Sequence, residues 1–364
     1  MVKKPPSKSS SKKTPIKQTN PVKPEGSSES KPADQIPIQD IAHQQKVLRV
    51  FENSFTSVLS SQNFNSTLQE VKTALFNREF DKAFGNEDFL EAYASRWSPT
   101  RALCYASVLT GIRSHLYGLS ERSAAEYALD NRGGQDPLRV LAIGGAAAEL
   151  VALGSFLSQQ PTALTGSITL VDVGPWAGVV TTLRTGLSIA APLSKYASTA
   201  AQAANTPLVE STRLGDVIFK QQDVLSLSRD DLAALIRTNG AEHQPVLVTL
   251  FFTLNELFTA GGIGKTTAFL LKLTEMVPPG SLLLVIDSPG SYSETTVGKE
   301  AKRYPTQWLL EKLLLDTAGD AWEKIESQDS AWFRLPPDLK YPIPLEDMRY
   351  QIHLYRATRR AAED

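Results

Sequence analysis

Five short apolar runs organise the chain from residue 138 onward. "LRVLAI" (138–143), "SITLVDV" (167–173), "DVIFKQQDV" (216–224), "PVLVTLFFT" (245–253) and "SLLLVIDS" (281–288) are rich in Leu and β-branched residues, and each is followed by a helical segment or a loop. Runs of this length fit strands buried on both faces, and strands alternating with helices predict a parallel sheet. Beyond residue 330 the rhythm stops. "AWFRLP" and "MRYQIHLYRAT" read as two strands with a Pro-rich link, a terminal antiparallel hairpin. Before residue 138 the period is helical. "STLQEVKTALFNREFDKAF" has Leu68, Val71 and Leu75 at helical spacing behind a capping-type Ser66/Gln69 pair. "SPTRALCYASVLTGIRSHLYGL" predicts a second long helix with Pro99 in its first turn, and "SAAEYALD" a third. Residues 194–211 read as a helix end and a surface loop.

Residues 1–37 fit neither period. They are Lys, Ser and Pro with almost nothing to bury, which predicts a disordered arm. Three parts follow: a basic arm (1–37), a helical cap (38–135) and a Rossmann-like α/β domain (136–364). Charge sharpens the first boundary. The whole chain carries −1, but residues 1–36 carry +5, so the body carries −6. Clusters such as "KKPPSK" suit nuclear import or phosphate contact; the plain alternative is a solubilising tail.

Composition excludes several classes. With 41% hydrophobic and 21% charged residues the chain is ordinary for a globular protein. A lone cysteine, Cys104, cannot form an internal disulfide, and its apolar helical setting reads as core. Four His and no paired-Cys motif argue against a protein-built metal site. No apolar run approaches the roughly 20 residues of a membrane span. The N-terminus lacks the apolar stretch of a secretory signal.

The candidate site follows from the sheet. In an open α/β sheet the ligand lies at the carboxyl ends of the strands, at the switch point beside the first strand. There the chain reads "VLAIGGAAAELVALG": Gly144 and Gly145 leave the strand, and Ala146 opens the helix. Small residues let a ligand approach the backbone closely. The second strand ends in Asp172, placed to receive ribose hydroxyls. The third ends in "QQDV", placing Asp223 and Val224 beside an adenine. Gly-Gly, Asp and Asp on three successive strand ends point jointly to an adenosine-containing ligand. Taken singly, each Asp also reads as a helix cap. Glu149 in the first turns of the helix speaks against a pyrophosphate, and hence against NAD. Five strands in series and a terminal hairpin are the order of a class I methyltransferase.

A rival motif lies at residues 260–267, "AGGIGKTT", which ends like a phosphate-binding loop. Such a loop must follow its strand immediately, whereas "LNELFTA" intervenes here, and it would hang from the fourth strand. The segment reads instead as a turn and a helix start, with Lys265 in the first turn of a surface helix. In "FFTLNELFT" (251–259), Asn255 and Glu256 are the polar pair of an apolar stretch just past the fourth strand. They are the candidate catalytic residues; the alternative is a helix cap followed by a first-turn acid.

The stretches "RWSPTRALCYAS" (96–107), "LAIGGAAAELVAL" (141–153), "LVDVGPWAGVV" (170–180), "LFFTLNELF" (250–258), "LLVIDSPGSYSE" (284–294) and "WFRLPPDLKYPIPLEDMRYQIHLYR" (332–356) resemble the fungal 25S rRNA uridine-N3 methyltransferases. The resemblance runs from about residue 45 to the C-terminus. Ala146 and Ala148 depart from a family turn that is richer in glycine. The resemblance implies a nucleolar class I enzyme that uses S-adenosylmethionine to methylate one uridine of large-subunit rRNA or a pre-ribosomal particle, with no metal and no membrane. N3 lies on the Watson–Crick edge, so the base must be unpaired or flipped out. On this reading Glu256 accepts the N3 proton and Asn255 bonds the flanking carbonyls. Arg96, Trp97, Arg101 and Trp176 hold phosphates or stack bases; each of these aromatics equally suits the core. An inactive assembly factor with a cofactor fold, and a P-loop hydrolase, are the alternative functions.

Overall fold

A computed structural model describes residues 40–121, 136–237, 244–290, 292–297 and 300–358. The arm's residues 1–37 and the helix expected at "SAAEYALD" lie outside the described residues.

The apolar runs become strands β1 (Leu138–Ile143), β2 (Gly166–Asp172), β3 (Leu214–Gln221), β4 (Leu247–Phe251) and β5 (Leu282–Asp287). A two-stranded ribbon follows, β6 (Tyr292–Val297) and β7 (Glu300–Pro305), then β8 (Trp322–Phe333) and β9 (Met348–Ala357). The main sheet has the order β3-β2-β1-β4-β5-β9-β8. Its first five strands are parallel, while β9 runs antiparallel to both β5 and β8. The terminal hairpin is present, but β8 begins at Trp322, well before the expected "AWFRLP". The order turns back between β1 and β4, and the switch point there opens a crevice at the strands' carboxyl ends.

Alternation along the strands supplies two cores. Val140 and Ala142 of β1 and Leu284 and Ile286 of β5 face one side, and Leu141, Ile143, Leu283 and Val285 the other. The first side is covered by the helices Ile41–Ser54, Ser98–Gly111, Ala147–Ser158 and Ala177–Ser188. The second is covered by Arg229–Ile236 and Gly262–Met276. The N-terminal helices thus share one core with the sheet.

Two local expectations are corrected. The helix bearing Leu68 starts at Phe64, whose ring is buried, so Ser66 lies inside it and donates back to the Asn63 carbonyl, 2.8 Å away, instead of capping. The second helix keeps Pro99 in its first turn but breaks at Ile112 and resumes as Arg113–Ser120. Cys104 is fully buried, and burial pushes its thiol pKa up, as suits a core residue.

Candidate active site

A cavity of about 50 Å³ opens at the switch point, walled by Gly144, Ala146, Glu149, Asp172, Trp176 and Glu256 from the sheet side and by Phe84, Tyr93, Ser98 and Arg101 from the N-terminal helices. A larger space, about 500 Å³, lies between the helices Ile41–Ser54 and Ala177–Ser188. It lacks strand-end residues, so the chemistry belongs to the smaller cavity.

The turn after β1 needs its glycine twice over. Gly144 has φ +64°, and a Cβ there would meet the Thr253 hydroxyl at 2.3 Å. Thr253 follows β4, so a bare backbone here is what brings the two halves of the sheet together. At Gly145 a Cβ would lie 2.7 Å from that of Ala142. Ala146 starts the helix Ala147–Ser158, and its N–H donates to Glu149 Oε2 at 2.9 Å. Ala146 has no side-chain acceptor, so only this half of a capping box forms. Glu149 is therefore a helix-start residue inside the cavity wall.

Asp172 ends β2. Its Oδ1 accepts from the Gly174 N–H at 2.7 Å and from Trp176 Nε1 at 3.2 Å. Glu256 ends the one-turn helix Leu254–Glu256 after β4. Burial pushes the pKa of Asp172 up to about 6, of Glu149 to about 7 and of Glu256 to about 8. Hydrogen bonds restrain the first two. Arg101, acting through space, restrains Glu256, while Asp172 and Asp287 push it further up.

Two of the four expected RNA contacts, Trp176 and Arg101, lie in the cavity wall. Trp176 is buried, packed on Phe84 and Tyr93 with ring centres 6.2 and 5.8 Å away, and spends its N–H on Asp172; it offers no free face to a base. Arg101 points into the cavity, where Nη1 donates to the Tyr93 hydroxyl and the guanidinium lies 4.6 Å from the Phe252 ring centre. Arg96 pairs with Glu346 at 2.6 Å. Trp97 is half-buried, its ring centre 5.1 Å from that of Tyr93. The adenine-side pair also lies outside the cavity wall. Asp223 is exposed and turns back to accept from the Leu225 N–H at 2.9 Å, the local-cap reading, while Val224 is buried in the second core. They remain close to the site, since Gln221, two residues before Asp223, pairs with Asp172. Asn255 does not line the cavity either. Its N–H donates to Asp287 Oδ2 at 3.0 Å, and its buried side-chain oxygen has no partner among the described residues.

The rival loop is a helix start. The chain widens into a π-turn at Leu257–Gly261, and the helix Gly262–Met276 follows. Lys265 is exposed on it. Thr266 is fully buried and donates to the Leu257 carbonyl at 2.8 Å, so its hydroxyl is engaged in the fold.

Residues of the wall that sequence reasoning passed over are Phe84, Tyr93, Ser98, Phe252 and Thr253. Phe252 carries a signal that only backbone geometry reveals: φ +56°, a left-handed conformation that costs a non-glycine residue energy and clusters at functional sites.

A family model described as "Putative SAM-dependent methyltransferase" matches residues 51–356. Over 344 residues the chain is 32% identical to the 25S rRNA (uridine(2843)-N(3))-methyltransferase of Saccharomyces cerevisiae, a match spanning 85% of each chain. The chain belongs to this methyltransferase family. Among solved structures, an S-adenosylmethionine-dependent methyltransferase from Methanosarcina mazei aligns at 11% identity over 65% of this chain and 99% of that one, with a TM-score of 0.35. An O-methyltransferase family protein from Burkholderia thailandensis aligns at 13% identity over 82% and 74%, with a TM-score of 0.33. Those two likenesses say nothing of substrate.

The donor set suits the family's cofactor. The methyltransferase offers a bare backbone turn at Gly144, a strand-end carboxylate at Asp172 and further carboxylates facing one arginine, as a nucleoside with a zwitterionic tail requires. The cavity's volume is well short of the ~300 Å³ at which small-molecule sites begin. Among the described residues no helix is long and apolar enough to cross a membrane, and no group of three His, Cys, Asp or Glu could hold a metal ion.

Proposed function

We propose that this methyltransferase uses S-adenosylmethionine to methylate N3 of a uridine in large-subunit rRNA, with Glu256 as the proton acceptor, and that it works in the nucleolus. Two facts support the substrate: the curated yeast relative acts on N3 of a 25S rRNA uridine, and the likeness spans most of both chains. The observation that carries the mechanism is a carboxylate, Glu256, half-buried in the wall of the cavity that contains the Gly144 turn and Asp172, its pKa raised by desolvation.

The bound cofactor supplies an electrophilic methyl group on its sulfonium. The protein supplies the rest. Uridine N3 carries a weakly acidic proton and is a poor nucleophile until that proton leaves. Glu256, with its pKa raised to about 8, is a stronger proton acceptor than an ordinary carboxylate and takes the proton in its ionised form. Asp172 holds the ribose hydroxyls, and the Gly144–Ala146 turn lets the nucleoside lie against backbone. The remainder of the rate comes from positioning. Asn255 acts one step back: its N–H bond to Asp287 fixes the short helix that carries Glu256. Arg96, paired with Glu346, and the half-buried Trp97 are the contacts proposed for RNA.

The test is methylation of 25S rRNA by purified protein, read by nucleoside mass spectrometry. 3-Methyluridine that disappears with Glu256→Gln is expected. Absence of any methylated nucleoside from an active preparation, with cofactor binding intact, would favour an assembly factor that kept the fold.

A further inference from the structure

Arg101 occupies an unusual position for a buried arginine. It stands in the first turn of the helix Ser98–Gly111, and its guanidinium forms part of the cavity wall. A guanidinium stays charged in any protein environment, and burying it without a counter-ion is costly. Yet Arg101 makes no ion pair among the described residues. Its side chain has one hydrogen bond, to the Tyr93 hydroxyl, and lies over two ring faces, 5.4 Å from Tyr93 and 4.6 Å from Phe252. Glu149 and Glu256 act on it only through space. The Phe252 ring is delivered by the strained φ of +56°. Two elements thus position one guanidinium, and most of its five donors are left for something else.

The fork of a guanidinium matches a carboxylate, which it binds through two parallel N–H···O bonds. We propose that Arg101 anchors the α-carboxylate of the cofactor's methionine portion, with Tyr93 and Phe252 holding the fork in place. The inference rests on the reading of this cavity as the S-adenosylmethionine site. The distribution of charge supports it. The cavity holds one cation, Arg101, and three carboxylates, Glu149, Asp172 and Glu256. The ligand's amino-acid tail carries one carboxylate and one ammonium, and its sulfonium adds a positive charge. A single cation among acids therefore selects where the tail's one anionic group must go. An RNA phosphate is a poorer candidate, because the guanidinium is packed between the Tyr93 and Phe252 rings in the wall of the cavity that also contains the Gly144 turn and Asp172.

Calorimetry on the full chain with two probes tests this. One is S-adenosylhomocysteine; the other is S-adenosyl-3-thiopropylamine, the same molecule without the carboxylate. The wild type is expected to prefer the first by about 10- to 100-fold, the range of a charge-assisted hydrogen bond. In Arg101→Gln that preference should fall to about twofold, with affinity for the decarboxylated probe nearly unchanged. Arg101→Lys, which keeps the charge without the fork, should retain part of the preference and serves if the glutamine variant does not fold. A preference that survives both substitutions overturns the assignment. So does an equal loss for both probes, which marks a structural role. A wild type that binds neither probe refutes the cofactor reading itself, a different outcome from binding both without preference.

Discussion

Glu149 and Glu256 share one cavity and one residue type but differ in what their oxygens touch. Glu149 is tied to the Ala146 N–H, whereas Glu256 forms no side-chain hydrogen bond among the described residues and has the higher pKa, about 8 against about 7. Glu256 is the one free to take a proton. Glu256→Gln is expected to keep cofactor binding and slow methyl transfer by about 10²–10⁴-fold, the usual contribution of a general base; single-turnover assays measure it, and normal turnover would remove Glu256 from the mechanism. A base must be ionised, so kcat/KM should decline as pH falls below about 8. Stability has the opposite slope. A carboxylate whose folded pKa is raised favours the fold when protonated. Its contribution is therefore complete below about pH 4 and is lost as pH rises through 6 to 8, where Asp172, Glu149 and Glu256 titrate. Glu256→Gln should accordingly stabilise the ligand-free protein at pH 9 by roughly 1–3 kcal/mol and do little at pH 4, as thermal melts at the two pH values can check. Asp172→Ala should weaken cofactor binding by about 1.5–3 kcal/mol, since it removes a charged acceptor.

At the level of elements, the turn between β1 and its helix is constrained by β4 across the switch point. Gly144→Ala faces both the positive φ and the Thr253 hydroxyl, and is expected to cost roughly 1–3 kcal/mol of stability and to abolish cofactor binding; a chemical melt and a titration separate the two effects. The residues after β4 give the complementary case. Lys265→Ala should leave cofactor binding untouched, and tight ATP binding lost in that variant would restore the phosphate-loop reading. Thr266→Val should instead destabilise by about 1 kcal/mol, because it removes a buried bond to the Leu257 carbonyl. These elements also mark what the sequence could disclose. β1, β2, β4 and β5 were legible because burial on both faces leaves an apolar run, whereas β3, largely exposed at the sheet's edge, was legible only by its short "VIF" stretch. The ribbon "YSETTV"/"EAKRYP" and the first half of β8, "WEKIESQD", were not, because their many charged and polar residues read as loop. Gly144, Asp172 and Glu256 were legible as strand-end residues, where topology alone brings chemistry together. Tyr93 was not, and Arg101 was read as an RNA contact: a helical pattern reveals which face is buried but not that it closes over strand ends between residues 144 and 256.

For the whole molecule, the division of charge and the division of labour run together. The proposed substrate is a polyanion and the body carries −6, so we propose that the +5 of residues 1–36 supplies RNA affinity. Removing residues 1–37 should leave cofactor affinity and the melting temperature unchanged, since these Lys, Ser and Pro residues offer almost nothing to bury. It should weaken RNA binding and flatten its dependence on salt, because each phosphate neutralised by a lysine releases counterions. Filter binding at two salt concentrations measures both. The reaction itself is the larger test of the assembly. The cavity lies at the carboxyl ends of the central strands, against helices that share the sheet's core, and N3 lies on the Watson–Crick edge, so the target base must be unpaired or flipped out. A carboxylate base there suits a nucleophile that must first lose a proton from nitrogen, which neither C5 nor a ribose hydroxyl presents in the same way. The product expected from 25S rRNA is therefore 3-methyluridine, resolved from the 5-methyl and 2′-O-methyl isomers by nucleoside mass spectrometry. An unpaired target should be methylated faster than the same uridine locked in a duplex. Formation of another isomer would leave the methyltransferase fold intact and refute the assignment to uridine N3.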